Sequence, residues 1–142
     1  MVRPILIVDD EIDHAIILRA VIASVAPERT TDTCTDPSRL PGVLLEAEPD
    51  AVVFIDRMLK GVESFGYLAE ALRAREDLHV VVLSSALSEE DERRARSAGA
   101  TTAIEKPGTL AEWRALVTGI LDQADHARGD GQIGNGRASR AG

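Results

Sequence analysis

At 142 residues the chain is close to one domain's worth, enough to bury about 68–70% of its unfolded surface, so a core needs neither disulfides nor a structural metal. A 44% hydrophobic and 28% charged composition is ordinary for a globular domain. Sixteen basic against 24 acidic side chains and 3% aromatics argue against nucleic acid as a partner, since the surface repels phosphates and offers few rings for stacking.

Ile5-Leu6-Ile7-Val8 reads as a strand covered on both faces and ends at Asp9-Asp10. The stretch 11–26 carries apolar residues near helical spacing and stops at Pro27. No run approaches the roughly 18 apolar residues of a membrane span, and a four-residue run followed by two aspartates is too short for a secretory leader. Residues 29–35, rich in threonine, form a weak second strand at an edge. Asp36-Pro37 starts a turn, and Pro41 opens a short helix to 47, although two prolines four apart cannot both sit inside one helix.

Ala51-Val52-Val53-Phe54-Ile55 is the strongest strand and terminates at Asp56. A loop over 57–63 leads to a helix over 64–75, then a strand over 79–83 ending in Ser84-Ser85. Ser88-Glu89-Glu90-Asp91 matches a capping box, and Gly99 closes the helix it opens. A fifth strand over 101–105 ends in Lys106-Pro107, and Thr109-x-x-Glu112 caps a last helix striped by Trp113, Leu116, Val117, Ile120 and Leu121. After Ala127 the only large apolar residue is Ile133, so the domain is expected over 1–125 and an unstructured Gly-rich tail over 126–142. Cys34, the sole cysteine, reads as a small buried hydrophobe; without disulfides a reducing, cytosolic setting is expected.

Five βα units in series imply a doubly wound α/β fold with a parallel sheet. Such sheets place their sites outside the carboxyl ends of the strands. There stand Asp9-Asp10, Asp56, Ser84 and Lys106. Singly, Asp10 can cap a helix, Asp56 can be a turn residue, Ser84 a satisfied strand-end hydroxyl and Lys106 a solvated lysine. Lys106 gains weight because the chain has two lysines against fourteen arginines. As a set the groups say more. Carboxylates about 4 Å apart repel by roughly 4 kcal/mol each at an effective dielectric of 20, so a cluster stays ionised only with a cation. An all-oxygen set suits Mg²⁺, Asp56 can act as a nucleophile toward phosphorus, and Lys106 and Ser84 can bind the phosphoryl oxygens.

These residues, with Gly99-Ala100 between Ser84 and Lys106, resemble the receiver domain of bacterial response regulators over about residues 3–125. The resemblance implies a flavodoxin-like five-stranded sheet of order 2-1-3-4-5. It implies a phosphoacceptor role for Asp56, fed by a phosphohistidine on a sensor kinase or phosphotransfer protein, and self-phosphorylation and dephosphorylation as the only catalysis. Asp10, Asp56 and the Met58 carbonyl would ligate Mg²⁺, with Asp9 helping through water; Ser84 would swing toward the phosphoryl group and Lys106 would pair with it. The Lys106-Pro107 bond is expected to be cis. A downstream protein would read the face of the fourth helix, fifth strand and fifth helix, and the chain, a single-domain cytoplasmic regulator, would be a monomer or a phosphorylation-linked dimer.

Departures are visible. Lys60 stands where the family usually has proline and Ser64 where it has glycine, changes expected to loosen or re-aim the loop. Ala103 replaces the aromatic that commonly reports phosphorylation. Met58 and Ala86 offer no group to orient an attacking water, so slow self-dephosphorylation is expected. Trp113 reads as core and 89–96 as a solvated charged face. His14 reads as exposed, with metal ligation the lesser alternative. Two other functions compete: a receiver-like module that signals without phosphorylation, and a Mg²⁺-dependent aspartyl phosphohydrolase. Asp9-Asp10 lacks the two-residue spacing of the latter.

Overall fold

Successive side chains of a strand point to opposite faces, so the apolar runs of the central strands divide between two covered faces of one sheet. β1 (Ile5–Val8), β2 (Thr31–Cys34), β3 (Val52–Asp56), β4 (His79–Ser84) and β5 (Thr102–Glu105) pair in parallel in the order β2-β1-β3-β4-β5, the expected topology. The computed structural model describes residues 2–133. On one face Ile5, Ile7, Val52, Phe54, Val81 and Leu83 meet α1 (Ile12–Val25) and α5 (Leu110–Ile133) through Leu18, Ile22, Val117 and Leu121. On the other, Leu6, Val8, Val53, Ile55, Val80 and Val82 meet α2 (Gly42–Leu45), α3 (Phe65–Leu72) and α4 (Glu89–Ser97) through Leu44, Leu68 and Ala95. Burial on both faces explains why β1 and β3 read as unbroken apolar runs. β2, paired on one side only, leaves Asp32 and Thr33 exposed.

Register places the functional edge. Val8 stands opposite Ile55, so the next residues, Asp9 and Asp56, leave neighbouring strands side by side. Ser84 pairs with Glu105, which brings Lys106 to the same edge.

Both capping boxes form: Ser88 Oγ accepts the Asp91 N–H at 3.0 Å, and Thr109 Oγ1 accepts that of Glu112 at 3.1 Å. Gly99 has a φ of +108°, and a Cβ there would lie 2.9 Å from Leu72 Cδ1, so glycine is required by backbone and packing alike. The two prolines divide the segment after β2. A 3₁₀ turn over Pro37–Arg39 precedes α2, and the intervening Leu40–Pro41 bond is cis. The backbone of α5 continues through Ile133, beyond the expected boundary at 125; residues 134–142 of the expected tail lie outside the described residues. No helix of the described residues is long and apolar enough to cross a membrane.

Candidate functional site

The ends of β1, β3, β4 and β5 bring Asp9, Asp56, Ser84 and Lys106 to one edge. Asp9 is 7% exposed; its Oδ1 accepts the Glu11 N–H at 2.9 Å. Burial first, and the neighbouring Asp56 charge with it, push the Asp9 carboxyl above its ordinary range, against the pull of the Glu11 N–H, Lys106 and His14. Asp56 Oδ2 accepts from Lys106 Nζ at 2.9 Å, and its Oδ1 lies 3.4 Å from the Met58 nitrogen. Lys106 is set in place by its own N–H, which donates to the Ser84 carbonyl at 2.8 Å.

Asp10 is turned differently. Its Oδ2 accepts the Lys60 N–H at 3.1 Å, so it holds the segment after Asp56. That segment is not the loop expected over 57–63 but a small antiparallel hairpin, Met58–Leu59 against Val62–Glu63. Its turn uses Lys60 at φ +50° and Gly61 at φ +79°. Proline, locked near −65°, cannot take the first of these values, so Lys60 in place of proline is what this turn needs.

His14, in the first turn of α1, comes back over the strand end. Its Nδ1 lies 2.9 Å from Glu11 Oε1, 3.5 Å from Lys106 Nζ and 3.9 Å from Asp9 Oδ2. Asp9, His14 and Asp56 each offer a donor atom, and these atoms lie within 4.8 Å of one another.

Ser84 is buried and faces its own loop, its Oγ donating to the Ala86 carbonyl at 2.7 Å. Arg57, which sequence reasoning passed over, links the hairpin to α4. Its Nε donates to Glu63 at 3.1 Å and its guanidinium to Asp91 at 3.0 Å, while Arg94 also pairs with Glu63. Arg57 and Arg94 both lie over the Phe65 ring, 5.8 and 5.1 Å from its centre. The only cue in the sequence was its place beside Asp56. Ala103 is 5% exposed and packs in the same core as Ala95 and Ala100, so β5 and α4 meet through small side chains. Among the described residues the cis proline bond is Leu40–Pro41, not Lys106–Pro107 as expected; with a trans bond Lys106 still reaches Asp56.

A doubly wound sheet with carboxylates, a hydroxyl and an ammonium on its carboxyl edge defines an α/β protein of the class whose sites stand at the strand ends. Residues 5–118 match the response regulator receiver domain, and the chain belongs to that family of two-component signalling proteins. No curated protein sequence matches it. Its fold is shared with the signal receiver domain of a DNA-binding response regulator from Colwellia psychrerythraea 34H (23% identity, 85% of this chain and 99% of that one, TM-score 0.71). It is shared as well with a CheY-like receiver domain protein from Methanospirillum hungatei JF-1 (17% identity, 89% and 99%, TM-score 0.72). NtrX from Brucella abortus aligns over 99% of this chain and 32% of its own length, at 23% identity and a TM-score of 0.75.

Proposed function

We propose that Asp56 is the phosphoacceptor of a His-to-Asp relay and that the phosphorylated chain signals to a protein partner. The observation that carries this is the Asp56–Lys106 pair, 2.9 Å apart beside the buried Asp9. An oxygen of Asp56 attacks phosphorus in line; the new O–P bond forms as the P–N bond to the donor imidazole breaks. The imidazole keeps the bonding pair and leaves neutral, protonated at its other nitrogen. Lys106 holds Asp56 for attack and pairs with the transferred phosphoryl oxygens. To donate to that group, Ser84 Oγ gives up the Ala86 carbonyl, and the β4–α4 loop moves with it.

The residues fit a divalent cation, because Asp56 and the buried Asp9 each bring a carboxylate oxygen to one place, within 4.8 Å of the other. Asp9 and Asp56 would hold Mg²⁺, with the Met58 carbonyl, and with Asp10 once it releases the Lys60 N–H. When bound, the ion neutralises charge on the phosphoryl oxygens. Exposed Ile12, Met58 and Leu110, each within a few residues of a site aspartate or Lys106, support docking of a phosphodonor protein over the edge. The face of α4, β5 and α5 is the proposed output surface.

Incubation with Mg²⁺ and acetyl phosphate tests the reading by mass spectrometry. A phosphoryl mass gain in the wild type, absent from Asp56→Asn, is expected; no gain, or an equal gain in the variant, overturns it. Because Met58 and Ala86 cannot orient water, the acyl phosphate is expected to outlast seconds. One observation favours signalling without phosphorylation: buried Ala103 leaves no aromatic to turn. Partner binding unchanged in Asp56→Asn would favour that second reading.

A further inference from the structure

We propose that His14 is a nitrogen donor of the cation pocket and tilts its selectivity from Mg²⁺ toward later first-row dications such as Co²⁺ and Zn²⁺. This rests on the reading that Asp9 and Asp56 form a cation pocket.

The donor set is the first ground. Two carboxylates and an imidazole offer atoms within 4.8 Å of one another. Three ligands at about 2.1 Å from one ion can stand at most ~3.6 Å from one another all round, so closure of about an ångström is needed. The half-exposed His14, 48% accessible at its side chain, has the freedom to supply it.

The second ground is Asp9. This residue is more than nine-tenths buried, and its Oδ1 is taken by the Glu11 N–H. Its Oδ2 points toward His14 Nδ1 at 3.9 Å, too far for a hydrogen bond. A buried carboxylate oxygen and an imidazole nitrogen thus face each other across a gap that a metal ion can bridge.

Competing contacts do not prevent this. The contact between His14 and Glu11 is an exposed pair, and such pairs contribute little. Lys106 Nζ, 3.5 Å from His14 and 2.9 Å from Asp56, lies between two of the donors and must draw back for any dication, a cost that every dication bears alike and that does not alter their ratio. Imidazole does alter it. Nitrogen donors favour iron, cobalt, nickel, copper and zinc, whereas Mg²⁺ prefers an all-oxygen shell.

Trp113 makes the test direct, because the sole tryptophan lines a cleft of about 220 Å³ together with Asp9, His14 and Lys106. The full chain and its His14→Gln variant are titrated with Co²⁺ and with Mg²⁺, following Trp113 emission. Proton NMR of the Co²⁺ form is recorded in water. His14→Gln is expected to lose Co²⁺ affinity on the order of tenfold and to hold Mg²⁺ affinity within about threefold. The wild type is expected to show a far-shifted, exchangeable imidazole N–H resonance that the variant lacks. The resonance needs no variant to be read, and an exposed side chain lets His14→Gln fold. If Co²⁺ binds the wild type without that resonance, or binds both proteins equally, the inference is overturned while the cation pocket stands. Should neither Co²⁺ nor Mg²⁺ alter Trp113 emission or the melting temperature of the wild type, pocket and inference fall together.

Discussion

At the amino-terminal edge of the sheet, Arg75 donates to both oxygens of Asp77, at 3.0 and 2.9 Å, and to the carbonyls of Leu44, Leu45 and Ala47. Asp77 also accepts the Asp50 N–H at 2.7 Å. At the carboxyl-terminal edge, Asp9 and Asp56 share one ammonium, Lys106, and Asp10 finds only a backbone N–H. The carboxyls respond oppositely. Hydrogen bonds from Arg75 hold Asp77 far below the ordinary carboxylate range despite burial, whereas burial drives Asp9 above it. One edge spends its charges on closing the fold. The other leaves negative charge short of partners where the proposed cation and phosphoryl group would sit, which is how a site trades stability for function.

That contrast can be broken in four ways. Arg75→Ala is expected to cost most, about 2–3 kcal/mol in urea unfolding, because Asp77 and the carbonyls of Leu44, Leu45, Ala47 and Glu48 lose their donor together. Next is the ion: Mg²⁺ at ten times its Kd should stabilise the wild type by about 1.4 kcal/mol and leave Asp56→Asn nearly unmoved in a thermal melt. Third, Asp9→Asn without divalent ions should raise stability by roughly 1 kcal/mol, since it removes a carboxylate that burial penalises. A loss instead would mean that the carboxyl edge is as well satisfied as the other.

The smallest effect is on pH dependence. Asp77, depressed in the folded chain, contributes stability that is present above its unfolded value of about 3.9 and lost as pH falls through the folded one. Asp9 has the opposite sign: its contribution is present below its unfolded value and lost as pH rises through the folded one. Arg75→Ala should therefore flatten the acid limb of the melting temperature below about pH 4, modestly, because Asp77 is partly open to solvent.

Much of this was legible in short windows of sequence. Strand ends at Asp9, Asp56 and Ser84, both capping boxes and the closing role of Gly99 follow from patterns a few residues long. The hairpin was missed because nothing local says that Lys60 will adopt a positive φ and that its N–H will be held by Asp10, 50 residues earlier. Arg57 was missed because Asp91, its partner, is 34 residues away. His14 was read as exposed, which it is, with metal ligation the lesser alternative; its approach to Lys106, 92 positions distant, was not legible.

By itself, then, the order of residues determined which elements form, that they alternate into a parallel sheet, and which chemical groups stand at the strand ends. These depend on periodicity, caps and breakers, whose range is a turn or two. Only the tertiary structure decided that Asp9 rather than Asp10 turns toward Asp56, that His14 joins them, and that the hairpin after Asp56 is tied to α4. Each of those outcomes is a competition among charged groups from distant segments, and their distances exist only once the sheet has set its register.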